Sequence, residues 1–412
     1  MMKSLPLLVA FLFLPLSFSA QPLPAPLTER TLRVDYIFSG TDKTSAIALD
    51  ALSCFDGWAG RRVHMDSLAL HGNGQIRMHD AQTGRLLYCN SFSTLFQEWQ
   101  ATEEATQVTK SFENVFLLPM PSVPVDVTVV LYDFHNQVAA RLTHRVDPSD
   151  ILIRRTGEAP PATRDLLRSG SPEACIDVVI LPEGYTAEEM DLFYRDAQAA
   201  VESFLNHRAF SELRDRFNFV AVELPSAESG VSVPRKGEWR DTALGSHFDT
   251  FYSDRYLTTL HLKRMHDLLA GLPYEHIIIL ANTDTYGGGG IFNSYTLTTA
   301  HHDAFAPVVV HEFGHSFVGL ADEYFYDDQF VEYYYPDIEP WEPNITTQAD
   351  FSAKWESMLG QPGVGLLEGG GYQSKGVWRA SEDCRMRTNA APDFCPVCTE
   401  AVRAMVRYYT EE

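Results

Sequence analysis

The chain has 412 residues and a formal charge of −23, from 55 acidic and 32 basic side chains. So acidic a chain repels phosphate backbones and anionic headgroups, which argues against nucleic acid and lipid surfaces as partners. With 45% hydrophobic and 12% aromatic residues it belongs among globular proteins, not disordered ones, and its length suits roughly two or three domains.

The first 20 residues, MMKSLPLLVAFLFLPLSFSA, carry one lysine, an apolar run from Leu5 to Leu16 and small residues at Ser17 and Ser19. This is the plan of a secretory signal peptide, cut after Ser19 or Ala20, and the run is short for a bilayer span. No cysteine stands near the cut to take a lipid. The expectation is an exported protein, periplasmic, cell-surface or extracellular, with no membrane span once the signal is gone.

Residues 21–150 read as strands. TLRVDYIFSG, QIRMHD, RLLYCNSF and VDVTVVLYDF are short, β-branched or aromatic, and divided by turn sequences such as HGNG and AQTG. That spacing suits an accessory β-sandwich, with a helical interruption near LFQEWQATEEATQ. Residues 151–172 lose the pattern and read as a linker.

Residues 173–412 change character. CIDVVILPEGY is a near-continuous apolar run of buried-strand type. Thr186 and Glu189 form a capping box, and Met190, Phe193, Ala197, Val201 and Phe204 then share one face of a long helix. FNFVAVELP and HIIILAN read as two further buried strands, with a helix between them near Tyr256 to Leu269. Strands alternating with helices indicate an α/β layout. GGGG, from Gly287 to Gly290, reads as a mobile loop near a cleft. IFNSYTLTT reads as a strand that is either an ordinary sheet edge or an edge for pairing with an extended substrate.

Six cysteines, Cys54, Cys89, Cys175, Cys384, Cys395 and Cys398, allow fifteen connectivities. Cys54 and Cys89 are near enough in sequence to pair. CPVC suggests a redox pair or half a zinc knuckle, but one cysteine pair cannot close a four-ligand site alone. A structural role is the better reading.

The chemistry is concentrated in VVVHEFGHSFVGLADEYF, from Val308 to Phe325. His311 and His315 are four apart, which on a helix puts both imidazoles on one face within reach of one metal ion. Glu312 is placed to take a proton from water at that metal. Gly319 can adopt positive φ and end the helix, turning the chain back so that Asp322 becomes the third ligand. Glu323 is its rival, and Glu332, Glu339 and Glu342 supply a different architecture with a downstream glutamate. The bland alternative is a core helix whose buried face is Val308, Val309, Phe313 and Phe317.

HEFGHSFVGLADEY resembles the zinc motif of the M64, or IgA peptidase, family of metallopeptidases. IDVVILPEGYTAEEM, FNFVAVELPSAESGVSVP, TALGSHFDTFYSDRYL and CRMRTNAAPDFCPVC resemble further blocks of that family, in the same order, from about Cys175 onward. The preceding β-rich half resembles the N-terminal domain often found with it. The resemblance implies an α/β, metzincin-like zinc peptidase domain behind an N-terminal β-sandwich. His311, His315 and Asp322 would hold one zinc ion per chain, Glu312 would be the general base, and Met386 would be the turn methionine beneath the metal.

The general metzincin pattern has its glycine three residues after the second histidine and its third ligand six after; here each comes one later. A tyrosine two beyond the turn methionine is replaced by Thr388, which leaves Tyr324 and Tyr372 as candidates to assist at the oxyanion. The expected function is a secreted zinc endopeptidase acting on protein or peptide substrates. Its competitors are another zinc hydrolase, an exopeptidase or glycan-linked peptidase, and a non-catalytic adhesin.

Overall fold

The computed structural model describes residues 22–327 and 333–411, so the expected signal segment and Glu332 lie outside the described residues. Among the described residues no helix is long and apolar enough to cross a membrane.

The N-terminal half consists of β1 (Leu27–Gly40), β2 (Ser45–Asp56), β3 (Gly74–Asp80), β4 (Leu86–Phe92), helix α1 (Leu95–Gln100), β5 (Lys110–Pro121), β6 (Val125–Tyr132), β7 (Val138–Val146) and β8 (Arg154–Arg155). They form two four-stranded sheets, ordered β5-β1-β2-β8 and β4-β3-β6-β7. Period-2 alternation turns Leu32, Val34, Tyr36 and Phe38 of β1 inward, where they share one core with Ile76, Met78, Val127 and Val129 of the other sheet. The predicted helical interruption is α1, with Thr94 as N-cap.

The remaining elements are β9 (Thr163–Leu167), β10 (Ile176–Glu183), α2 (Met190–Asn206), α3 (Arg208–Ser211), β11 (Phe217–Val222), α4 (Leu262–Leu269), β12 (His276–Ala281), β13 (Gly288–Ile291), β14 (Tyr295–Thr299), α5 (Phe305–Phe313), β15 (Phe325–Tyr326), β16 (Ile345–Thr346), β17 (Leu367–Gly370), β18 (Tyr372–Arg379) and α6 (Pro396–Thr410). A six-stranded mixed sheet, β13-β14-β12-β10-β11-β9, forms the centre. Its inner neighbours run parallel, and the terminal strands β9 and β13 run antiparallel to theirs. The segment read as a linker supplies β8 to a sandwich sheet and β9 to this one.

The unbroken apolar run of β10 follows from burial on both faces. Ile176, Val178 and Ile180 share a core with residues of α2, α5 and α6. Val179 and Leu181 instead join the core that contains α4 and the sandwich. An ion-pair chain stitches the halves together: buried Arg33 of β1 donates to Asp35 at 2.7 Å and to Asp267 of α4 at 2.6 Å.

Two expectations are corrected at the end of this sheet. IFNSYTLTT is not an edge, because β14 has β12 on one side and β13 on the other. The edge is β13, built from the glycine run read as a mobile loop. Side-chain-free residues let this strand lie directly on α5: a Cβ on Gly290 would come 2.2 Å from the Glu312 carbonyl oxygen and 2.9 Å from the His315 Cβ. The six cysteines are all buried and form no disulfide. Cys54 and Cys89 are therefore unpaired, and the Arg30 guanidinium donates to the Cys54 sulfur at 2.9 Å.

Candidate metal centre

Helix α5 is apolar on Val308, Val309 and Phe313, all of which are buried, and it accepts Pro307 in its first turn. Past Phe313 the α geometry opens into a π turn over Gly314–Val318. A π turn takes up one residue more than an α turn. It therefore absorbs the one-residue lengthening between His315 and Gly319 while both histidines stay on one face. Gly319 follows at φ +71 and ends the helix, as its position predicts. A Cβ there would also collide with Leu70 and Trp341.

The two rings converge, with His311 Nε2 and His315 Nε2 3.0 Å apart. Each ring is held from behind: His311 Nδ1 lies 3.0 Å from the Arg385 carbonyl oxygen, and His315 Nδ1 lies 2.6 Å from that of Leu320. A carbonyl oxygen can only accept, so both Nδ1 atoms carry their protons and both Nε2 atoms turn their lone pairs toward one point. Asp322 Oδ1 faces the same point, 3.0 Å from His311 Nε2 and 3.4 Å from His315 Nε2. It is buried and makes no well-directed hydrogen bond there. Burial would raise the Asp322 carboxyl, but the charge of His315 and its contacts with both rings hold it well below the ordinary range. Burial lowers His315, yet Asp322 pushes it up to about 9. Positive charge is thus favoured between the rings, as a proton on one Nε2 or as a metal ion on both. Two imidazoles and a carboxylate are a donor set that suits zinc.

The neighbouring acids separate cleanly. Asp322 turns to the histidines, whereas Glu323 turns away into a cluster of cysteines. Buried Asn344 fixes this divergence by exchanging hydrogen bonds with Ala321 on both backbone atoms and donating to Glu323 Oε1 at 3.0 Å. The Tyr372 hydroxyl donates to Asp322 Oδ2, and the Asp322 carbonyl accepts from Gly371 N at 2.8 Å. Tyr372 sits at φ +68, a costly conformation for an aromatic residue. Glu339 and Glu342 are engaged elsewhere: Glu342 accepts from Tyr334 at 3.0 Å, and Glu339 accepts from Asp350 N at 2.9 Å. Met386 is fully buried beneath the helix, so close that a Cβ on Gly314 would stand 2.9 Å from its sulfur. Its carbonyl accepts from Glu323 N at 2.8 Å.

Glu312 is partly buried and faces a cavity of about 770 Å³. Burial pushes its carboxyl above the ordinary value against the pull of His311 and His315. The cavity is lined by Gly288 to Gly290 of β13, by Tyr324 and Tyr372, and by Thr388. Its opposite wall comes from the sandwich half, through Gln97, Glu98 and Phe134. Burial pushes Glu98 up to about 7 although the Tyr256 hydroxyl donates to it. Sequence reading found no candidate group in that half. No spacing rule links Glu98 to a helix more than 200 residues away, and only the packing of the halves brings them to one cleft.

Two family profiles match the chain: IgA Peptidase M64 over residues 165–363 and Peptidase M64 N-terminus over residues 25–143. The chain belongs to the M64 peptidase family. It is a peptidase, and its substrates are proteins or peptides. The M64 profile includes His311, Glu312, His315 and Asp322, while Met386 and the last three cysteines lie past its end. M64 peptidases are metallopeptidases, and this one contains residue groups with the chemistry to hold a metal ion. A search of curated proteins finds no match.

Proposed function

We propose that this M64 peptidase is an exported zinc endopeptidase with a metzincin-like catalytic domain in residues 173–412. His311, His315 and Asp322 hold the metal and Glu312 is the general base. The sandwich of residues 21–150 acts as an accessory domain that walls the cleft, and residues 1–20 direct export. The observation that carries the reading is the convergence of two imidazole lone pairs and a buried carboxylate oxygen beside a glutamate that opens on the cavity.

When bound, zinc would supply the Lewis acidity that polarises the scissile carbonyl and lets water give up a proton as it attacks. Glu312 takes the proton from that water and returns it to the departing amine. Burial, which pushes its carboxyl up, makes it a stronger base than an exposed glutamate. The carbonyls of Arg385 and Leu320 keep each histidine in the Nδ1–H form. Tyr372 is occupied in holding Asp322, which leaves Tyr324, on the cavity wall, as the phenol to meet the oxyanion. The sheet ends at β13, whose glycines line the cavity beside Glu312. An extended substrate strand pairs there beyond Gly288, whose outer side is bridged by Tyr256, and this favours cleavage within a chain over removal of terminal residues.

The test joins metal analysis to proteolysis. The mature chain and its Glu312→Ala variant are compared for bound zinc and for cleavage of an unfolded protein. Zinc at the histidine site in both, with internal cuts only by the parent, is the expected result. A parent that holds no metal there under zinc-replete conditions, or cuts equally well without Glu312, overturns the reading.

A further inference from the structure

Behind the histidine site, Glu323, Cys384, Cys395 and Cys398 bring one carboxylate oxygen and three sulfurs to within 4.8 Å of one another. All four residues are buried. Cys384 Sγ and Cys398 Sγ are 3.6 Å apart, and Glu323 Oε1 lies 3.1 Å from Cys398 Sγ. Two ligands held about 2.3 Å from a tetrahedral zinc stand about 3.8 Å from each other, so the sulfur separation is that of a tetrahedron's edge. The second Glu323 oxygen is buried with no hydrogen-bond partner. Cys395 caps the N-terminus of α6, and its sulfur accepts from the backbone of Cys398, which helps hold a thiolate.

From this geometry we infer that Glu323, Cys384, Cys395 and Cys398 bind a second, structural zinc ion. A disulfide would use two of the sulfurs and leave the Glu323 carboxylate in the core without a counter-charge. A divalent cation engages all four, the thiols releasing their protons to solvent as they become ligands. Closed, solvent-free coordination by four protein ligands marks a structural site, whereas the histidine site opens on the cavity. The ion ties the start of α6 to two loops that also shape the histidine site. Asp322 precedes Glu323, and the Arg385 carbonyl that holds His311 follows Cys384.

The deciding sample is the full mature chain carrying both His311→Ala and His315→Ala, purified in zinc-replete buffer. Zinc is expected to fall from two per chain in the parent to one in the variant. That remaining ion should show sulfur scattering at about 2.3 Å in zinc-edge absorption. All six cysteines should be titratable once the chain is denatured with chelator. A folded variant with no zinc, or with nitrogen and oxygen scattering only, overturns the inference, as does a parent mass two hydrogens light from a disulfide among these residues. If the variant fails to fold, sulfur scattering in the parent's own zinc spectrum decides, because the histidine site supplies no sulfur. A chain with zinc at this cluster and no proteolysis would sink the proposed activity while leaving this inference standing.

Discussion

The two candidate ligand clusters of this peptidase differ in how the chain assembles them. His311, Glu312, His315 and Asp322 fall within twelve consecutive residues, placed by one helix, one π turn and one glycine. Glu323, Cys384, Cys395 and Cys398 come from three separate segments. The first cluster is partly buried and faces a large cavity, and the second is sealed in the core. Openness suits a site that must admit water and substrate, and closure suits one that only holds segments together. The adjacent acids make the boundary: Asp322 serves one cluster and Glu323 the other.

The largest expected effect lies at the open cluster. Glu312→Gln should lower the rate of proteolysis about 10²–10⁴-fold, the usual worth of a positioned general base, without removing metal. A variant that keeps its metal and full turnover would break the contrast between a reactive and a structural cluster.

Next comes the pair of neighbouring acids. Asp322→Ala should strip metal from the histidines and abolish cleavage while the thiol-ligated metal stays. Glu323→Ala should weaken the thiol-ligated metal and lower the thermal midpoint of the fold. Metal counts and melting curves on both variants check this; identical losses from the two substitutions would mean that the acids serve a single site.

Tyr372→Phe removes the hydroxyl on Asp322 Oδ2. Loss of such a partner behind a metal ligand costs about 10–100-fold in metal affinity. Competition with a zinc-binding dye should show that loss at the histidine site and none at the cysteines.

The smallest effect concerns Asp177, a buried carboxylate outside both candidate clusters. It accepts from Asn218 at 2.9 Å, yet burial pushes its carboxyl up to about 7. A folded-state value raised above the unfolded one means that the folded chain binds the extra proton. Its contribution to stability is therefore greatest in acid and is lost as pH rises from about 4 to about 7. Asp177→Asn should flatten that part of the stability profile in denaturant titrations at pH 5 and pH 8. Glu323→Gln should instead destabilise at both values if that carboxylate is held by a metal. Matching profiles for the two variants would count against the metal at Glu323.

Much of the open cluster was legible beforehand because helical periodicity is local. Four residues make about one turn, so His311 and His315 had to share a face, and Gly319 was marked as the stop by the positive φ a glycine tolerates. The extra residue before Gly319 was visible, but not its physical outlet, a π turn. The glycine run was misread because glycine signals a loop by propensity. Here it signals the close approach of a strand to α5.

By itself, then, the sequence carried the buried parallel strands, the amphipathic α2, the spacing that puts His311 and His315 on one face, and the family. All of these rest on periodicity or contiguous motif. Which acid faces the histidines, which strand ends the sheet, that the sandwich walls the cavity, and that the CPVC cysteines meet Cys384 and Glu323 depend on the tertiary structure. Those depend on segments far apart in sequence meeting in a shared core. Their side chains are selected by burial and by unmet hydrogen-bonding or charge, and no local spacing encodes that.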